Sequence, residues 1–126
     1  MALSLQDFNR HWVDYLVQEG VGMIYDYSML KDDPWGEWIP DLNLIGINPF
    51  TRLKGKRIED HTITHEWLHA FEYLVLETTH SEKQIDRWAW FHYRRTPDLT
   101  DYIRRNGLMT LQPIPKEFSF LQVPLL

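Results

Sequence analysis

The sequence contains no cysteine, so neither a disulfide framework nor a thiolate metal site is available to it. Any metal ion would have to be held by histidine and carboxylate side chains. Cationic charge is also scarce, with 13 Lys and Arg against 18 Asp and Glu and a net charge of −5. A chain of this charge has no broad positive surface, so we expect no nucleic-acid partner.

Long apolar runs are missing as well. None approaches the roughly 20 residues that a membrane-spanning helix needs, so we expect no membrane partner. The opening MALSLQDFNRHW has neither the basic start nor the apolar centre of a secretory signal peptide. Together these features predict a cytoplasmic protein.

The chain does have enough apolar and aromatic side chains for one folded core. Of its 126 residues, 44% are hydrophobic, and there are 6 Trp, 6 Tyr and 6 Phe. This length and composition predict a single domain over residues 1–126 and argue against disorder. We expect 108–126, which contains Pro113, Pro115 and Pro124, to form an extended tail packed over that domain.

Local patterns in the first half predict one helix and two short strands. Ser4 should cap a helix that ends near Gly20, and the β-rich stretches 23–27 and 42–49 should be strands. The segment 31–41 contains two prolines, a glycine and several acidic residues, so it is predicted to be a loop.

The second half is predicted to be helical. A basic turn over 51–57 should lead into a long helix from about 59 to 79, and Ser81 should cap a second helix over 82–95. A short third helix should end at Gly107. We therefore predict an α+β fold in which a small β-sheet packs against a pair of helices.

The long helix contains HEWLH, residues 65–69, a pattern typical of a zinc site. His65 and His69 are four residues apart, so both imidazoles project from one helix face and can bind one ion. Glu66 follows about 100° further round, close enough to act as a general base on a water molecule beside the metal. Two ordinary core histidines, each with its own polar partner, are the alternative interpretation.

A third ligand is expected downstream, because catalytic zinc usually keeps three protein ligands. Glu82 lies in the first turn of the next helix, and Asp86 follows four residues later on the same face. This spacing lets Glu82 bind the metal while Asp86 accepts the far N–H of a ligand histidine and orients its ring. Alternatively, Glu82 only stabilises the helix N-terminus and Asp86 pairs with a surface arginine.

Three other residues are alternative ligands. His80 could replace Glu82, which would indicate a SprT-like site, although a role at the end of the long helix is favoured. Glu72 lies on nearly the same face as the two histidines, where a salt bridge is favoured. His61, one turn before His65, could support a ligand or line the cleft. The side chain that would stabilise an oxyanion is open among four candidates: Tyr73, His92, Tyr93 and Arg94.

These motifs resemble the gluzincin branch of the zinc peptidases, and more narrowly the small ImmA/IrrE-type metallopeptidase domains. Such domains have a strand with an INP-like end, an HExxH helix and a following helix of the form E-x-x-A-[DN]-x-[FW]-A. This chain has IGINP, HEWLH and EKQIDRWA, all within about residues 42–92, with Ile85 in place of the usual Ala. The resemblance implies a minimal zincin-like fold and a Zn²⁺-dependent hydrolase with His65, His69 and Glu82 as ligands and Glu66 as base.

The resemblance also implies a class of substrate. ImmA/IrrE-type proteins are associated with the cytoplasm and with phages and mobile elements, where they often act on repressors, so the expected partner is a protein or peptide. We expect the strand ending at Asn48 to lie at the sheet edge and to present backbone groups to an extended peptide.

Two functions without turnover are also compatible with the sequence. The first is a zinc-binding interaction module, with the loop around Trp35 and Trp38 and the tail as its docking surface. The second is a metal-free helical adaptor, in which the ligand-like spacing of His65, His69 and Glu82 arises by chance. The intact HExxH pattern favours catalysis, because a module that only binds has no need of Glu66.

Overall fold

The computed structural model describes residues 3–109, and its architecture is α+β. In chain order the elements are α1 (Leu5–Gln18), β1 (Gly22–Tyr25), β2 (Gly36–Ile39), β3 (Leu44–Ile47), α2 (Thr51–Lys54), α3 (Lys56–Phe71), α4 (Glu82–Arg95) and α5 (Leu99–Gly107). A 3-10 turn (Pro40–Leu42) joins β2 to β3, and a π-helical turn (Glu72–Leu76) continues α3. From residue 110 onward, the predicted tail lies outside the described residues.

The three strands form one mixed sheet in the order β1-β3-β2. β1 runs parallel to β3, whereas β2 runs antiparallel to it. The prediction that 31–41 is only a loop is therefore wrong, since β2 lies within it. This strand is flanked by Pro34 and Pro40 and carries little pattern of its own. It forms because β3 offers it a row of unpaired backbone groups, which is a tertiary effect.

The position predicted for the strand that ends before Asn48 is also wrong. That strand is β3, and it lies between the other two, so β1 and β2 are the edge strands instead. Asn48 itself is fully buried and holds the preceding loop: its side-chain amide donates to the carbonyl oxygen of Leu30 at 2.9 Å, and its Oδ1 accepts from the N–H of Phe50 at 3.0 Å.

The predicted ends of α1 and α4 are confirmed. The Ser4 hydroxyl accepts a hydrogen bond from the N–H of Asp7 at 3.1 Å, and the Ser81 hydroxyl accepts one from the N–H of Gln84 at 3.1 Å. Gly20 has a φ of 94°, a conformation that glycine adopts readily just after a helix.

The long central helix differs from the prediction at both ends. Part of the predicted turn 51–57 is helical, because α2 occupies its first residues and α3 begins at Lys56, directly after Gly55 with its φ of 104°. At the other end, regular α-helix stops at Phe71, and the π-helical turn follows instead of α-helix to residue 79.

α3 runs through the middle of the protein and is buried on nearly every side. Its apolar side chains pack against α1, the sheet, α4 and α5 in one core. Gly107 at the end of α5 lies so close to Trp67 that an added Cβ would be 2.6 Å from Cη2 of the indole. The fully buried core side chains include Val13, Leu16, Met23, Ile45, Ile47, Ile63, Trp67, Ile85 and Ile103.

Charged side chains fix the first turns of α3. Glu59 and Asp60 are buried, and Nη2 of Arg104 from α5 lies 2.6 Å from a carboxylate oxygen of each. The Tyr25 hydroxyl of β1 donates to Glu59 at 2.9 Å, and Lys56 pairs with Asp60 at 2.6 Å. Burying these carboxylates is tolerable because each is neutralised and hydrogen-bonded.

No helix among residues 3–109 combines the length and the apolar character needed to cross a membrane.

Candidate metal centre

Two histidines of α3 and one glutamate of α4 converge on a single point. Nε2 of His65 and Nε2 of His69 are 3.1 Å apart. Oε2 of Glu82 lies 2.9 Å from Nε2 of His65, and its Oε1 lies 2.8 Å from Nε2 of His69. These three residues form a group that could hold a metal ion.

The packing of α4 against α3 brings Glu82 to the histidines. Ile85 and Ala89 are fully buried on the inner face of α4, and Ser81 caps its first turn. The side chain of Glu82 itself is 73% exposed. Little packs around this side chain, so its carboxylate reaches the histidines because the backbone of α4 lies close enough to them.

Each of the two histidines is held by a carboxylate on the other side of its ring. Oδ1 of Asp86 lies 2.8 Å from Nδ1 of His65, and Oε1 of Glu72 lies 2.8 Å from Nδ1 of His69. A proton on Nδ1 would let His69 donate to Glu72, would place the N–H of His65 next to Asp86, and would leave both Nε2 atoms free to bind a cation together with Glu82. This is the tautomer in which imidazole binds a metal through Nε2.

Glu66 lies beside this group and is buried, with 7% of its surface exposed. Its carboxylate accepts no hydrogen bond from residues 3–109. Burial raises the pKa of Glu66 to about 7; His69 acts in the opposite direction, and the nearby carboxylates of Glu82 and Glu37 raise the pKa further. A carboxylate with a pKa near neutrality is suited to accept and release a proton.

The edge strand β2 lies directly over Glu66. A Cβ added to Gly36 would be 2.7 Å from Cγ of Glu66 and 2.9 Å from Cγ2 of Thr62. Such close approach of a strand backbone to a helix is possible only where the strand residue has no side chain. Gly36 therefore sets how closely the sheet edge and the candidate base approach each other.

Replacing Gly36 by Ala should lower the free energy of unfolding by about 1–3 kcal/mol, because the new methyl group has no space against Glu66 and Thr62. Urea denaturation of the purified variant measures this. Gly46→Ala in β3 is the matched control, since its Cβ would be 3.6 Å from the nearest atom, an ordinary contact. Equal stability of the two variants would contradict this account of β2.

His61 takes part in a second group that could hold a cation, together with His65 and Asp86. Its ring stacks on Trp90 with centroids 4.0 Å apart, and its Nε2 is 3.7 Å from Oδ1 of Asp86. Burial lowers the pKa of His61, although Asp86 counteracts this. The group with Glu82 is the tighter one, since its donor atoms lie 2.8–3.1 Å apart and Nδ1 of His65 is already engaged by Asp86.

His80 and Glu72 contact each other and not the point where the three donors meet. Nδ1 of His80 is 2.9 Å from Oε2 of Glu72, and the backbone N–H of His80 donates to the same oxygen at 2.7 Å. Burial by itself would raise the pKa of Glu72, but the hydrogen bonds from His69 and His80 outweigh it and the pKa is lowered. Glu72 is therefore a charged partner of histidines, the role that the sequence favoured.

The four candidates for oxyanion stabilisation lie in different environments. Tyr73 is 54% exposed, and its ring meets that of Trp38 on β2 edge-on at 6.0 Å. His92 lies 3.2 Å from the Thr96 hydroxyl, Tyr93 packs against a tryptophan of α4, and Arg94 is exposed. None of the four is hydrogen-bonded to the three converging residues.

The donor set matches what zinc uses in proteins, namely imidazole nitrogen and carboxylate oxygen. At a tetrahedral centre, donors about 2.0–2.1 Å from the ion are about 3.3–3.4 Å from one another. The observed separations of 2.8–3.1 Å would have to widen by only a few tenths of an ångström. Because Glu82 is largely exposed, its side chain has room to make this adjustment.

Comparison with models of known protein families, with curated proteins and with solved structures gave no significant match to this chain.

Two contributors to the centre were not recognised from the sequence. Gly36 was assigned to a loop, although an isolated glycine beside tryptophans in a short apolar run is a signal of close backbone approach. For Glu72 the sequence favoured a salt bridge over metal ligation, but it did not indicate that the partners are His69 and His80. Its spacing of three residues from His69 is the signal that a helix brings the two side chains together.

Proposed function

We propose that this protein is a zinc-dependent metallopeptidase that hydrolyses a peptide bond in a protein substrate. The observation that carries the proposal is the convergence of His65, His69 and Glu82 beside a buried carboxylate, that of Glu66, which has no hydrogen-bond donor among residues 3–109. A carboxylate that is largely buried and accepts no hydrogen bond from these residues is unfavourable for stability alone. Its retention beside three metal-binding side chains is explained by a catalytic role.

Each of these residues has a separate role in the reaction. His65, His69 and Glu82 would hold a zinc ion, and that ion would supply a Lewis acid able to polarise the scissile carbonyl and to lower the pKa of water to about 7. Glu66 takes the proton from the attacking water and then delivers it to the leaving amine. The positive charge of the ion would lower the pKa of Glu66 again, so that the carboxylate is ionised when it accepts the proton.

The edge strand β2 provides a surface for the substrate backbone. One edge of β2 pairs with β3, and its other edge is not paired with any strand of residues 3–109. A peptide added to this free edge as a further strand would pass next to Glu66, because Gly36 brings β2 into contact with it. β2 thus takes the role that the sequence had suggested for the strand ending at Asn48.

We further propose that the protein belongs with the ImmA/IrrE-type gluzincins and acts in the cytoplasm on a regulatory protein of a phage or mobile element. Two features support this: the spacing of Glu82 and Asp86 after HEWLH, and the strand β3, which is followed by Asn48-Pro49 and precedes α3 with only the short helix α2 between them. The distance of 2.8 Å between Asp86 and His65 fits the orienting role that this resemblance implies for the aspartate.

A zinc-binding interaction module without turnover is the second candidate. The exposed Trp35 beside β2 favours it, because 43% of this side chain is accessible for docking. Trp38 does not support it, since this residue packs against the core. The buried position of Glu66 favours turnover, and a test for hydrolysis separates the two candidates.

Removing the metal should abolish hydrolysis. The full chain, loaded with zinc, is incubated with peptides derived from a whole proteome, and new peptide termini are identified by mass spectrometry. We expect cleavage by the zinc-loaded protein, its loss after treatment with 1,10-phenanthroline, and its return when zinc is added back. Zinc binding without any cleavage would indicate the interaction module, and cleavage that is insensitive to the chelator would contradict the proposed mechanism.

A further inference from the structure

We propose that Glu72 is a positioning residue of the metal centre. It orients His69, and it also fixes the connection between α3 and α4 and thereby the position of Glu82. This inference deepens the proposed function and rests on it. The carboxylate of Glu72 lies between the end of the metal-binding helix and the start of α4, and both of its oxygen atoms are used.

The first oxygen acts on the ligand. Oε1 of Glu72 lies 2.8 Å from Nδ1 of His69, on the side of the ring opposite the Nε2 that faces Glu82. The contact holds the proton on Nδ1 and restrains rotation of the ring. It matches the contact between Asp86 and His65, so each of the two histidines has a carboxylate partner from a different part of the chain.

The second oxygen acts on the backbone. Oε2 accepts the N–H of His80 at 2.7 Å and also lies 2.9 Å from Nδ1 of its ring. The ring of His80 in turn contacts Trp88 of α4, with centroids 4.9 Å apart. His80 precedes Glu82 by only two residues, so fixing it restricts where α4 begins.

This restraint matters because Glu82 is not held by packing. Its side chain is 73% exposed, whereas that of Glu72 is 9% exposed. A mobile ligand side chain loses conformational entropy when it binds a metal, and a backbone that is already fixed avoids the further cost of ordering the segment that carries the ligand. The buried carboxylate of Glu72 therefore restrains the backbone position of Glu82, whose exposed side chain has no packing to hold it.

The π-helical turn Glu72–Leu76 is consistent with this role. Regular α-helix ends at Phe71, and the chain leaves the wider turn at Glu77, which has a φ of 53°. Such turns are uncommon and occur frequently at functional sites. Here the turn begins at Glu72, whose side chain links the end of α3 to the start of α4. The change in helix geometry therefore occurs at the proposed positioning residue.

Glu72 is not itself placed to be a ligand. Its two oxygens are occupied by His69 and His80, and it belongs to neither group of residues that could hold a metal. Replacement of Glu72 should therefore weaken zinc binding without removing the site.

The test compares zinc affinities, measured by competition with a chromophoric chelator on the full chain. Glu72→Gln preserves the shape, but its amide has one acceptor oxygen instead of two. We expect its zinc affinity to fall by about 10–100-fold, the range typical for removing the carboxylate behind a ligand histidine. The visible absorption spectrum of the Co²⁺-loaded variant should also differ from that of the wild type. Glu77→Gln, an exposed acid beyond the π-helical turn, is the control and should leave both unchanged.

A purely structural role gives a different result. Glu72→Gln would then unfold at a lower urea concentration but bind zinc as tightly as the wild type under conditions where both are folded, which would overturn the inference. If the variant does not fold, the zinc-loaded wild type decides: NMR should find the Nδ1–H proton of His69 shifted downfield and slow to exchange with water, as a proton held by a carboxylate is, and an Nδ1–H that exchanges as fast as that of an exposed imidazole would overturn the inference. Failure of the wild type to bind zinc would refute the proposed function itself, whereas tight binding by both proteins would refute only the role of Glu72.

Discussion

Replacing Glu66 by Gln is expected to lower peptide hydrolysis by about 100- to 10,000-fold, the range that a positioned general base contributes. The amide cannot take a proton from water, but it has nearly the same shape and should fit beneath Gly36 as the carboxylate does. Zinc content should stay near that of the wild type, because His65, His69 and Glu82 are untouched. The measurement combines the cleavage assay with elemental mass spectrometry of the same sample.

The reason for expecting metal binding to survive is that Glu66 interacts with the three ligands only through its charge. Its carboxylate makes no hydrogen bond to His65, His69 or Glu82, and His69 affects its pKa by charge alone. Glu77→Gln serves as the control and should cleave at the wild-type rate. A fully active Glu66→Gln protein would exclude this residue as the base and leave the mechanism without a proton acceptor.

The parts of the fold predicted best are those whose sequence signals are local. Ser4 and Ser81 each accept a hydrogen bond from the backbone three residues on, so a cap can be recognised from a few neighbouring letters. The positions of the ligands follow from helix spacing in the same way. Four residues separate His65 from His69, and the structure brings their Nε2 atoms to 3.1 Å.

The parts predicted wrongly depend on contacts between distant residues. β2 forms because it pairs with β3, and the residues GEWI alone do not predict this pairing. The same pairing moves β3 from the edge to the centre of the sheet, so a single missed strand led to the wrong edge strand. Both errors concern which strands are neighbours in the sheet. The alternation of apolar and polar residues along one strand does not specify its neighbours.

The network behind the ligands was partly predictable. Asp86 was expected to orient a histidine because it lies one helical turn after Glu82, and Oδ1 of Asp86 is 2.8 Å from Nδ1 of His65. The double contact of Glu72 was not expected, since it depends on His80 folding back across a π-helical turn. Helix spacing gives the contact with His69, but the contact with His80 requires the path of the connection between helices.

The largest effect on metal binding is expected from Glu82→Ala. Glu82 supplies the only carboxylate within hydrogen-bonding distance of Nε2 of both His65 and His69 among residues 3–109. Its loss should reduce zinc affinity by more than the roughly 10–100-fold expected for a carboxylate behind a ligand. Elemental mass spectrometry without added metal should find about one zinc per wild-type chain and almost none in the variant.

The matched control is Lys83→Ala, an exposed residue in the same first turn of α4, which should keep its zinc. A second comparison uses His61→Ala, because His61, His65 and Asp86 form the other group able to hold a cation. If zinc is lost from His61→Ala and kept by Glu82→Ala, the ion lies between His61 and Asp86. Glu82 would then not be a ligand, and the gluzincin assignment would fail even though the protein binds a metal. Loss of zinc from Glu82→Ala alone places the ion where Nε2 of both histidines can reach it, next to the carboxylate of Glu66.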